Sequence, residues 1–150
     1  MKSSLLLRLA GGWLILVCLG HTWGYYEAFV TRDLLDDSRL AAYELMKEPM
    51  DGGLVHPSFW TVLQMLALEL TFFLAFAAAL SLWVAGQPSP AIRRTFARIA
   101  TITFGLASVA FVFVHPQINA AVIAIVAAVL FGTAWWRAAS ESDAGAVRAE

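Results

Sequence analysis

Charge is what this sequence has least of. Only 14% of its 150 residues are Asp, Glu, Lys or Arg, against 60% hydrophobic, and the mean hydropathy is +0.71. A net charge of -1 gives no basic surface of the kind that nucleic acid requires. One cysteine, Cys18, excludes an intrachain disulfide, a thiolate metal cluster and a CxxC redox pair. The chain also lacks an HxxxH spacing and a Gly-rich phosphate loop, and it offers no Ser/His/Asp spacing and no paired carboxylates that can be assigned as a catalytic set. No metal site, cofactor or catalytic set is therefore assigned.

Long apolar runs are what the chain does have. A membrane-spanning helix needs roughly 20 mostly apolar residues, and four stretches approach that: about Leu5 to Phe29, Phe59 to Val84, Ala97 to Val114 and Ile118 to Trp136. A cleavable leader would need a small-residue site before His21. Apolar character instead continues through HTWGYYEAF, so the first run reads as a span. Gly86, Pro88 and Pro90 stop the helix between the second and third runs. Pro116 biases His115 away from helical dihedrals, which forces a hairpin between the third and fourth. The expectation is an all-α fold: one polytopic four-helix bundle over residues 1–150, with a long outer loop at 30–57 and a cytoplasmic tail at 138–150.

Basic residues orient the bundle. Lys2, Arg8, Arg93, Arg94, Arg98, Arg137 and Arg148 fall on one side, and Arg32, Arg39 and Lys47 on the other, which puts both termini in the cytoplasm. Trp23 and Trp60 lie near the outer boundary, and Trp83, Trp135 and Trp136 near the inner one, as interfacial belts require. In the outer loop, RDLLDDSRLAAYELMKE sets Leu34, Leu35, Leu40, Tyr43 and Met46 mostly on one side of a helix that Pro49 ends. The spacing predicts an amphipathic helix on the membrane surface or capping the bundle. Its acids, among them Asp33, Asp37, Glu44 and Glu48, form a solvated face or meet cations or a basic partner.

Two polar groups stand out within the spans. His21, in GHTWG, lies about 7 Å below the outer boundary at roughly 1.5 Å per residue. One reading makes the motif a packing device, with Gly20 and Gly24 forming a GxxxG and His21 and Thr22 bonding across helices. Another makes His21 an anchor for the polar head of a quinone or lipid, and a third, unsupported by any metal spacing, makes it a ligand. Glu69 lies about 16 Å deep, close to the bilayer centre. A carboxyl there costs roughly 2.5–3.5 kcal/mol on insertion scales, so it is expected to face the bundle interior, bonded to Thr103 or a backbone carbonyl, or to serve a ligand or proton. With Gln64 and Ser108 these residues form a possible polar ladder. Helical phase puts Gln64 and Glu69 about 140° apart, so no single stripe holds both.

The motif Gly20, His21, Thr22, Gly24, the start of the second helix at Phe59 and Trp60, and the hairpin at His115 and Pro116 resemble a group of small four-span bacterial inner-membrane proteins with a GHT motif ending helix one. That resemblance covers nearly the whole chain and implies its topology and location; it carries no activity. Two functions fit the residues. One is a non-enzymatic membrane component, an accessory subunit or self-associating bundle, offering the small residues Gly11, Gly12, Gly20, Gly24, Gly105 and Ser108 for close packing. The other is a binder or carrier of a small amphiphile whose head meets His21 and Gln64. Expected partners are membrane lipids, another membrane protein or a second copy, and not nucleic acid.

Overall fold

The computed structural model describes residues 2–26, 41, 44–49, 58–113 and 118–147, the last five as backbone alone. Four long helices dominate it: α1 (Ser3–Tyr26), α2 (Phe59–Ala85), α3 (Pro90–Phe113) and α4 (Ile118–Val147). All four are long and apolar enough to cross a membrane, with candidate spans of 24, 27, 24 and 25 residues. The chain is an all-α, multi-pass integral membrane protein of the four-helix-bundle kind. Most of the amphipathic helix expected in the outer loop lies outside the described residues. Ala41 and residues 44–46 are helical, and an isolated antiparallel bridge joins Pro49 to Ser58.

Local chemistry sets the helix ends. Ser58 caps α2, its Oγ accepting from the Thr61 N–H at 3.2 Å while its carbonyl accepts from Val62 at 3.1 Å. Ser89 caps α3 in the same way, bonding the Ile92 N–H at 3.5 Å, and Pro90 fills the first helical position, where its missing N–H is no loss. Because Ser89–Pro90 starts the helix, α3 begins seven residues before the apolar stretch at Ala97 and carries Arg93, Arg94 and Arg98 on its first turns. Similarly, α4 runs past Trp136 through Val147, so the tail expected at 138–150 continues a helix.

Two compact units divide the chain: residues 1–17 with 76–150, and residues 18–75. In the larger, α3 and α4 pair as an antiparallel hairpin whose seam is narrow because it is built from alanine. Ala121, Ala124, Ala127, Ala134 and Ala138 are buried along one stripe of α4, facing Ala97 and Ala100 of α3 among others. Phe131 is the one large side chain in that stripe. Its ring meets Phe104 in a stacked arrangement at 5.6 Å and Phe96 edge-on at 5.8 Å. The first half of α1 joins this unit through Leu6, Leu7, Ala10 and Leu14, all buried, and through Trp13 Nε1, which donates to the Ile123 carbonyl at 3.3 Å. Gly11 is the close approach. A Cβ there would stand 3.0 Å from the Leu82 side chain and 3.3 Å from the Ala78 carbonyl oxygen of α2.

Candidate functional site

Within the smaller unit, polar bonds join the end of α1 to the start of α2. The Nε2 of His21 lies 3.1 Å from the Ala67 carbonyl oxygen, and since a carbonyl only accepts, that nitrogen carries the proton. Thr71 Oγ1 donates to the same carbonyl at 3.0 Å, and the Cys18 thiol reaches the Thr71 carbonyl at 3.6 Å. Thr22 turns back on its own helix, donating to the Cys18 carbonyl at 2.8 Å. Among the half-buried positions of α2 here, Gln64, Ala67 and Thr71 lead to buried Leu74 at intervals of three and four, one helical stripe. His21 thus bonds across helices, the role expected of it in a packing device.

The glycines beside it do something else. Among the described residues no atom lies within 4 Å of where a Cβ would stand at Gly20 or Gly24, so neither brings one of the four long helices close. Both are exposed. Glu69 also departs from its expected place. It stands two positions from Ala67, about 200° around α2, and is exposed, with no hydrogen bond or ion pair among the described residues. Met65, Leu66, Phe72 and Phe73 are exposed around it, Phe72 to 72%. The phase of the stripe turns Glu69 away from the side of α2 that meets α1, and Thr103, its expected partner, belongs to the other unit. Thr103 is exposed on α3 with no partner among the described residues, whereas Ser108 is buried and donates to the Phe104 carbonyl at 2.7 Å. The proposed ladder is divided: His21, Thr22, Gln64 and Glu69 belong to one unit, and Thr103 and Ser108 to the other. His56 and His115 lie outside the described residues.

A more developed polar cluster sits in the larger unit, where sequence reasoning did not look. Ser3 is fully buried at the first position of α1. Its backbone N–H donates to Glu141 Oε1 at 2.7 Å and its hydroxyl to Oε2 at 2.7 Å. Arg93 completes the arrangement, its Nη2 donating to Glu141 Oε2 at 2.8 Å and its Nε to Ser3 Oγ at 2.9 Å. Through Nη1 it also bonds the carbonyls of Gln87 and Pro88 in the turn between α2 and α3. One carboxylate therefore caps α1, where the helix leaves N–H groups unsatisfied and favours negative charge, while one guanidinium holds the turn. This clasp ties the start of α1, the α2–α3 turn and the far end of α4. Segments so distant in sequence leave no local signal.

Among the described residues no group of three or more His, Cys, Asp or Glu is placed to hold a metal ion. Comparison with protein-family models, with curated proteins and with solved structures returns no match.

Proposed function

We propose that this chain is a non-enzymatic component of a bacterial inner membrane that packs, through the outward face of α2, against another membrane protein or a second copy of itself. Glu69 is the observation that carries the reading. A carboxyl halfway along an apolar span, exposed and without a hydrogen bond or ion pair among the described residues, faces hydrocarbon unless further polypeptide covers it. Large side chains surround it, and an interhelical hydrogen bond to the carboxyl would remove its desolvation cost. Exposed Gly20 and Gly24 offer a second surface on which a foreign helix can approach closely. His21 donates to Ala67, which supports a packing role over the amphiphile anchor. The resemblance to small four-span inner-membrane proteins and the distribution of basic residues supply the location and the cytoplasmic termini of this proposal.

Crosslinking in native membranes tests it. With Cys18→Ser removing the native thiol while keeping a donor, Phe73→Cys should give a crosslinked adduct, of twice the chain's mass for self-association or of another mass for a heterologous subunit. Leu82→Cys, on another part of α2, is the control. Absence of any adduct at Phe73→Cys and at Met65→Cys, together with an unaltered native complex in Glu69→Leu, would sink the proposal.

A further inference from the structure

We infer that the groove between the first turns of α3 and the last turns of α4 is a binding site for the phosphate group of an anionic membrane lipid. A cavity of about 390 Å³ is lined there by Ala91, Arg94, Thr95 and Arg98 of α3 and by Trp135 and Ser142 of α4. Arg94 and Arg98 are one helical turn apart and so point into the same space. Neither makes a hydrogen bond or ion pair with any described residue. Among the described residues the Thr95 hydroxyl and the Trp135 indole N–H have no acceptor either.

The contrast with the neighbouring clasp is informative. Arg93 has a carboxylate, a hydroxyl and two carbonyls, and the nearby acid, Glu141, is fully engaged by Ser3 and Arg93. Among the described residues, two cations therefore remain in a groove lined by hydroxyls and an indole N–H, with no carboxylate in its lining. An acceptor-rich anion is what such a set recognises, and phosphate fits the fork of a guanidinium in a bidentate manner.

Depth and surroundings select a lipid as the source of that phosphate. Arg98 lies about 12 Å along α3 from Pro90, inside the apolar part of the helix, where a charge is costly without a counter-ion. Continuing up the same face at intervals of four, Ile102 is 54% and Leu106 67% exposed. Acyl chains of a lipid whose head sits on Arg94 and Arg98 would lie along those residues. Trp135 occupies the level at which indole rings favour the headgroup boundary. Basic pockets between membrane helices are a known way of holding acidic headgroups.

Native mass spectrometry of the full chain in mild detergent, titrated with phosphatidylglycerol, phosphatidylcholine or inorganic phosphate, tests the site. Phosphatidylglycerol should bind the parent, and the double variant Arg94→Gln with Arg98→Gln should bind it about tenfold more weakly. The charge-matched variant Lys2→Gln with Arg137→Gln should bind as the parent does. Unchanged binding in the first variant, or equal loss in the second, would overturn the site. Displacement of phosphatidylglycerol by an equal concentration of inorganic phosphate would overturn the lipid as its occupant. A measurement without any arginine variant gives a second test. In phosphatidylcholine vesicles, brominated phosphatidylglycerol should quench the parent's tryptophan fluorescence more than brominated phosphatidylcholine does, and Trp135→Phe should abolish the excess; equal quenching by the two lipids overturns the proposal.

Discussion

At the scale of single residues, the chain's ion pairs differ in how much structure depends on them. Lys47 and Glu44, exposed and three positions apart at 2.8 Å, gain little in water. Arg93 and Glu141, also 2.8 Å apart, share a buried serine and a helix start. Glu141→Gln should therefore destabilise the protein by about 1.5–3 kcal/mol, the range for bonds to a charged group, read as a shift in detergent unfolding. A double-mutant cycle with Arg93→Gln should show strong coupling, whereas the cycle at Lys47 and Glu44 should show about 0.5 kcal/mol or less. His21→Ala removes a single interhelical bond, and Ala67 O keeps the Thr71 hydroxyl as donor. The expected loss is about 0.6 kcal/mol, at most about 1.7, in the same unfolding measurement.

At the scale of elements, glycine divides sharply by position. Gly11→Val should strain the α1–α2 contact, because the Ala78 carbonyl 3.3 Å from the new Cβ belongs to a helix backbone that cannot turn aside. Gly20→Val meets open space and should leave the unfolding midpoint of the isolated chain within error. Comparing the two variants checks the assignment of the packing glycine. Sequence alone could not make it. Four apolar runs and the break at Gly86, Pro88 and Pro90 were legible because span length and helix-breaking residues are local properties. The direction in which Glu69 points was not, since a helix apolar on all sides has no wet face to fix its rotation. What fixes it is the stripe of Gln64, Ala67, Thr71 and Leu74, whose small members allow another helix near. Small residues are common in every span of this chain, so their phase becomes visible only against a partner. Likewise, the clasp joins residues 138 positions apart, and no window along the chain contains both.

For the molecule as a whole, the distribution of bases makes a prediction about sidedness. With the termini in the cytoplasm, Ser89→Cys, in the α2–α3 turn, should resist a membrane-impermeant thiol reagent in intact spheroplasts, and Asp36→Cys should react, both measured in a Cys18→Ser background. The opposite labelling would reverse the orientation and move the basic groove to the other leaflet. The clasp agrees with an even number of crossings, since it gathers the start of the first helix and the end of the fourth at one end of their unit.

That clasp also imposes an order on biosynthesis. Ser3 leaves the ribosome 138 residues before Glu141, so α1 enters the membrane with its leading N–H groups unsatisfied and stays so until the fourth crossing is made. Closure then reports that α4 has been made. A chain stopped after Arg137 would keep all four spans in nearly full length yet leave Ser3 buried and Arg93 without its carboxylate. In a pulse-chase experiment such a chain should be degraded faster than the intact one, at a rate matched by full-length Glu141→Gln.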